Sequence, residues 1–268
     1  MRILKSFVFV CLVSAPFVTT AADRTVVGSG AMEQDSWSGA IGGMPVEVVN
    51  RFGDVRLLRG GADDQLDVAA VIQQLAIDGS KLALDVTTTD DAVTVTVTRY
   101  DYQGHPVSEA PRGDRARADL AVTVPDGASM TVETIAGRVI SQGVHGSLDL
   151  RTDRGAVQIS EHSGSVDASS SSGAIEVSLG PGATDAGQTL TTATGPISVS
   201  TPDNNDLEVT MSTSGSFITD YSITVKHHDG EQPNKTATAV IGAGGTAVTM
   251  TSGTGDLALH RARAGSPR

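Results

Sequence analysis

The sequence predicts an all-β chain wound as a single parallel β-helix, or β-solenoid, and three observations predict it. The phrase Gly-x-apolar-x-apolar recurs every nine residues from Gly146 through Gly155 and Gly164 to Gly173. Within each phrase, alternation sends Leu148 and Leu150, Val157 and Ile159, Val166 and Ala168, and Ile175 and Val177 to one face. It leaves Asp149, Gln158, Asp167 and Glu176 on the other, which is strand spacing rather than helix spacing. Each such strand is too short to bury its inner face alone, the condition under which repeats stack on one another. An antiparallel β-sandwich, which also has evenly spaced strands, is the alternative.

A wider unit lies over the nine-residue one: apolar-x-apolar-x-(Thr/Ser/Asn)-x-x-Gly-x-apolar-x-apolar. It fits Val46 to Leu57 through Asn50 and Gly53, Leu148 to Ile159 through Thr152 and Gly155, Val166 to Val177 through Ser170 and Gly173, and Val248 to Leu259 through Ser252 and Gly255. Met130 to Ser141 fits through Thr134 and Gly137, with Ser141 in the last apolar slot. The Thr, Ser or Asn is expected to hydrogen-bond backbone at a corner, and the Gly to supply the φ that turns it. Two strands and a corner make a coil of about 18 residues. Stacking coils at about 4.8 Å places Val139, Val157 and Ile175 in one inward column and Leu148 and Val166 in another. Each buried side chain contributes about 1.5–3 kcal/mol against about 1–2 kcal/mol per ordered residue, so one coil does not persist and a stack does.

At the N-terminus, Met1 to Lys5 is a short basic start, Phe7 to Val13 is an apolar run, and Thr20-Ala21-Ala22 supplies small residues before Asp23. Residues 1–22 are therefore expected to be a cleaved signal peptide, and the protein to be exported to the periplasm or the cell surface. Pro16 cuts the run below the roughly 20 residues of a membrane span. The single cysteine, Cys11, follows Val8-Phe9-Val10 without the small residue expected ahead of a lipidated cysteine. After cleavage no cysteine remains, so stability must come from a core and a backbone ladder. Loss of Arg2 and Lys5 deepens a formal net charge of −12 by two. A chain this acidic, with no basic stripe, has little attraction for nucleic acid or anionic lipid. The expected partner is an envelope or surface component, protein or glycan, with no nucleic acid and no stable membrane insertion.

Residues 23–39 read as a lead-in, residues 40–260 as the repeat domain and residues 261–268 as a polar tail. Ala69 to Ile77 fits a short helical turn, while Leu82 to Val86 and Ala92 to Thr98 alternate as strands. The last of these runs into an excursion that gathers aromatics with arginines. Its candidate binding residues are Arg99, Tyr100, Tyr102, His105, Arg112, Arg115 and Arg117. Long loops on rigid scaffolds carry recognition, tyrosines offer amphipathic contact area at low entropic cost, and the arginines form a basic island on an acidic protein. The same Pro, Gly and charge content also describes a plain solvated linker. Downstream, Gly180 to Gly187 stretches the step between Gly173 and Gly195 to 22 residues. The phrase resumes at Gly195 and Gly215, and a second excursion from Tyr221 to Thr246 carries His227 and His228.

At Val124-Pro-Asp-Gly-Ala-Ser-Met130-Thr-Val132-Glu-Thr134-Ile-Ala-Gly137-Arg-Val139 the chain resembles the bacterial putative-adhesin domains of unknown function built from β-strand repeats, and is similar to head domains of predicted autotransporter adhesins. The resemblance spans roughly residues 40 to 260 and implies an exported coiled-β protein. Its motifs are structural and carry over no catalytic or ligand-binding position.

Chemical motifs are sparse. Asp149 and Asp167, stacked on neighbouring coils, would either splay in solvent or share a hard cation, while Gln158 and Glu176 make a pair without repulsion. The six histidines lack metalloprotease spacing, and His227 and His228, adjacent on a strand, point to opposite faces. There is no Gly-x-Ser-x-Gly elbow. No catalytic residue, cofactor or metal is assigned. The leading function is a non-catalytic, adhesin-like envelope protein that binds or scaffolds through a rigid β-surface. The alternative is a polysaccharide lyase or hydrolase on a β-helix, which rests on fold analogy.

Overall fold

A computed structural model describes residues 23–29, 31–60, 63–76, 78–107, 115–180, 186–230 and 232–262; the signal-peptide reading of residues 1–22 lies outside them. The strands, in chain order, are β1 (Asp23–Ser29), β2 (Met32–Ala40), β3 (Val46–Asn50), β4 (Val55–Arg59), β5 (Gln65–Gln73), β6 (Lys81–Thr88), β7 (Val93–Tyr100), β8 (Pro106–Val107), β9 (Arg117–Val124), β10 (Met130–Thr134), β11 (Val139–Gln142) and β12 (Leu148–Thr152). They continue with β13 (Val157–His162), β14 (Val166–Ser170), β15 (Ile175–Leu179), β16 (Gln188–Thr192), β17 (Ile197–Thr201), β18 (Leu207–Thr213), β19 (Phe217–Thr219), β20 (Thr224–His227), β21 (Lys235–Ile241), β22 (Thr246–Ser252) and β23 (Leu257–Arg261). No helix occurs among the described residues.

The strands form two sheets whose inner faces meet in one core. Sheet I runs β1-β2-β5-β9-β4-β11-β13-β15-β17-β23-β19, and sheet II runs β20-β21-β18-β22-β16-β14-β12-β10-β3-β7-β6, with β8 beside β7. From β9 to β19 in sheet I, and from β7 to β18 in sheet II, every pairing is parallel, so each coil gives one strand to each sheet. The fold is β-solenoid-like, with antiparallel strands at its ends. The expected columns are present: Val55, Val139, Val157, Ile175, Ile197 and Leu257 are successive register partners, as are Met130, Leu148 and Val166. All of them are buried. Ser141 takes its apolar slot fully buried, its hydroxyl without a hydrogen-bond partner among the described residues.

The corners work as read, but for a different reason at glycine. Thr152, Ser170, Thr192 and Ser252 accept the amides of Gly155, Gly173, Gly195 and Gly255 at 2.8–3.0 Å. Asn50 does the same job with both ends of its amide, accepting from Phe52 N and donating to Ala118 O. None of these corner glycines has a positive φ. A Cβ on Gly155 would overlap the carbonyl oxygen of Gly137 one coil away, and one on Gly173 would overlap that of Gly155. The residue is therefore required by the closeness of stacked backbones, not by the turn.

Two further segments depart from the sequence reading. Ala69 to Ala76 do not form the expected helical turn, and Ile77 lies outside the described residues: the first of them belong to β5, whose inward set Leu66, Val68, Ala70 and Ile72 begins before Ala69 and has period two. The lead-in carries β1 and most of β2; β2 pairs antiparallel with β5, and β1 pairs antiparallel with β2 at the edge of sheet I.

Both ends of the stack are out of chain order. β7 and β9 lie outside β3 and β4, although they come later, and β22 and β23 sit between the β16/β17 coil and the β18/β19 coil, which precede them in sequence. The chain thus builds its outer C-terminal coil first, caps it with antiparallel β21 and β20, and returns to fill the slot it skipped.

Candidate functional site

The predicted binding excursion is spread over both sheets. Arg99 continues the inward alternation of β7 and is 1 % exposed. It donates to Asp78 at 3.0 Å, pinning the turn before β6. Asp78 also accepts from the Ser80 hydroxyl and amide, and these bonds, with Arg99 behind them, pull its carboxyl down to about 2. Tyr100 donates to Asp85 at 2.7 Å, a bond that raises the phenol's pKa. Arg117, on β9, is clamped between Asp119 and Asp54 at 2.8 and 3.1 Å, which raises its own pKa, chiefly through Asp119. Tyr102, 80 % exposed, and His105 sit on a turn whose Asp101 accepts the amides of Gln103 and His105; the His105 amide does most to hold the Asp101 carboxyl below its usual range. Arg115 is exposed, and Arg112 lies outside the described residues. The six described residues do not converge: Tyr102, His105 and Arg115 face solvent, whereas Arg99, Tyr100 and Arg117 are held by partners within the fold.

A different surface does collect side chains. The outer face of sheet I carries a shallow groove of about 420 Å³ across β11, β13, β15 and β17. One row is Ile140, Gln158, Glu176 and Ser198; the next is Gln142, Ser160, Ser178 and Ser200. Gln158 donates to Glu176 at 3.1 Å, the pairing expected from their spacing, and Ser200 donates to Ser178 at 3.2 Å. The second row continues to His260, the register partner of Ser200, whose Nδ1 lies 3.5 Å from Asp220. The Arg261 amide, helped by His260, holds the Asp220 carboxyl below its usual value. The serines at 160, 178 and 200 obey the same period as the core positions, but a lone outward serine carries no signal until its neighbours across the sheet are known.

A family model, Toastrack DUF4097, matches residues 83–260. The chain belongs to the Toastrack DUF4097 family. Among solved structures, this Toastrack chain is similar to a putative cell adhesion protein from Clostridium sporogenes at 13% identity, covering 90% of this chain and 99% of that one with a TM-score of 0.40. It is also similar to a putative adhesin from Bacteroides fragilis (10% identity, 85% and 97% covered, TM-score 0.29) and one from Parabacteroides distasonis (10%, 88% and 98%, 0.27). No curated protein matches significantly.

The polar side chains of the Toastrack groove are engaged mainly with one another. Ser200, His260 and Asp220 follow one another in the order of a serine triad, but the Ser200 hydroxyl donates to Ser178, not to the imidazole, and His260 and Asp220 are 42% and 54% exposed. β17 is paired in parallel on both sides, so its backbone amides are consumed by the ladder and none is left to face an oxyanion. Glycoside hydrolysis uses two carboxyl groups facing one bond, and among the groove's lining residues Glu176 is the single carboxylate. On sheet II, Asp149 and Asp167 are register partners as expected, and Arg151 pairs with Asp149, which offsets the repulsion between them. Among the described residues no three His, Cys, Asp or Glu side chains are grouped to hold a metal.

Proposed function

We propose that this Toastrack protein is a non-catalytic, adhesin-like component of the cell envelope, exported through residues 1–22, which binds or scaffolds a surface protein or glycan in the sheet I groove. The observation that carries this reading is the in-register repetition of Gln, Glu and Ser along four successive strands. A hydroxyl both donates and accepts, and an amide beside a carboxylate offers one of each, so the groove presents polar partners at a fixed spacing of about 4.8 Å. The strands beneath are tied into the ladder on both sides, so little order has to be gained on binding.

The test compares binding to isolated envelope fractions, peptidoglycan and cell-surface glycans for the wild-type chain, a Ser178→Arg variant that fills the groove, and a variant with residues 103–116 replaced by a short Gly/Ser turn. Binding lost with Ser178→Arg and kept by the shortened loop supports the groove. The reverse result moves recognition to the Tyr102–His105 turn. A wild-type chain that binds none of the three fractions overturns the reading.

A further inference from the structure

The opposite outer face, on sheet II, carries a pattern that the groove reading does not use. On four adjacent strands the outward pairs are Thr189 and Thr191 (β16), Thr249 and Thr251 (β22), Thr210 and Ser212 (β18), and Thr238 and Thr236 (β21). Each is the register partner of its counterpart on the next strand, so the eight hydroxyls form two straight rows. Within a row neighbours are about 4.8 Å apart from strand to strand, and the two rows are about 6.6 Å apart along each strand, two rises of about 3.3 Å. Seven of the eight residues are β-branched and stiff at χ1, so their hydroxyls and methyls hold position without a large loss of side-chain entropy. Asp167 borders the block on one side and Lys226 on the other, with Glu208 in the next row along β18; within the block there is no charge.

Strand propensity does not produce this by itself. Threonine suits any exposed strand, and propensity alone would put it on both faces of the same coils. On sheet I those coils present Ser198, Ser200, Ala258, His260 and Ile218 instead. The uniformity also survives three changes of context: a regular coil (β16), a coil inserted out of chain order (β22), and an antiparallel cap (β21) whose reversed direction still sets Thr238 beside Thr210 and Thr236 beside Ser212.

We propose that this face binds ice. A matching ligand has to be uncharged, to donate and accept hydrogen bonds at every contact, and to repeat in two directions on the scale of the strand spacing. A lattice of water molecules meets all three conditions, and the threonine methyls order the first water layer beside the hydroxyls. A single glycan chain repeats in one direction and would engage one row. The inference goes beyond the envelope-binding reading and uses the other sheet, so either can fail without the other.

The test is thermal hysteresis and ice-crystal shaping by the purified full-length chain, together with its partition into a slowly growing ice front. The wild-type chain is expected to shape crystals, to show hysteresis and to enrich in the ice. Thr249→Lys, at the centre of the array, and Thr189→Lys, on a neighbouring strand, are expected to lose these activities with unchanged circular dichroism. Ile218→Lys, exposed on the opposite sheet and outside the groove, keeps them. No hysteresis or shaping by the wild-type chain overturns the proposal, as does full activity in both threonine variants or equal loss in Ile218→Lys. Binding of the wild-type chain to microcrystalline cellulose with no enrichment in ice would also overturn it, in favour of a crystalline glycan.

Discussion

Val157 has no exposed surface and lies between Val139 and Ile175, while Gln158 beside it faces the groove. Val157→Asp buries a carboxylate with no partner and is expected to cost about 3–5 kcal/mol, whereas Gln158→Asp costs under about 1 kcal/mol; circular dichroism melts of the two variants compare them directly. His162 makes a subtler case. It is 1 % exposed, its Nδ1 lies 2.7 Å from the Val144 carbonyl, and its Nε2 has no partner among the described residues, so the ring is held neutral with the proton on Nδ1. Burial drives its pKa below 6.5. The unfolded chain then takes up a proton near pH 6.5 that the folded chain refuses, so this residue's contribution to stability falls as pH drops below that value. Melting temperatures measured between about pH 7.5 and 5.5 should fall more for the wild-type chain than for His162→Leu, which borrows the side chain of its register partner Leu179. Parallel curves would mean that His162 is not the titrating group.

At the scale of the coil, the corner glycines set how closely backbones stack. Gly155→Ala forces the chain away from Gly137 and is expected to cost about 3 kcal/mol, the upper end for inserting one carbon into a packed site. Gly180→Ala has open space and no positive φ, and should stay within about 0.5 kcal/mol; urea unfolding midpoints of both variants check the contrast. The position of each corner was legible because the Thr/Ser-x-x-Gly spacing is local. The cause was not, since the atom that forbids a side chain at Gly155 belongs to a residue one coil away. β13 shows a second limit. Strict alternation from Val157 and Ile159 would put Glu161 inside, but a bulge with Glu161 at φ 54° turns it outward and brings His162 into the core. The side chains at 161 and 162 fit this outcome, yet nothing in the period announces an extra residue. The groove and the threonine array were legible as outward positions; what they face depends on which strands become neighbours.

Neighbourhood is decided by the whole molecule, and there the sequence is silent. Five coils between Val46 and Leu259 were recognisable by themselves, but the β7/β9 coil lay hidden in an apparent excursion, and the segment containing β22 and β23 read as the last in line rather than as a wedge between two earlier coils. An ordinary repeat stack shortened at its end loses one set of nearest-neighbour contacts. Ending this chain after Gly245 instead removes the partners of both β16/β17 and β18/β19 and disconnects the terminal coil and its cap from the stack. The truncated chain is expected to lose the cooperative unfolding transition expected of the intact chain, measured for both by circular dichroism against urea. A single transition with an unchanged slope would show that β18/β19 can close directly onto β16/β17.

The interleaved ends also restrict how such a molecule changes length. A simple repeat protein grows or shrinks by gaining or losing units at either terminus. Here each terminus is locked by a unit laid down in another order, so neither end can be copied without copying the lock. The coils between β10 and β17 follow one another in chain order, and a duplicated unit of about 18 residues placed among them would lengthen the body by about 4.8 Å while leaving both closures intact. Variation in size among relatives is therefore expected to fall in the middle of the chain, with the two ends kept as fixed fittings.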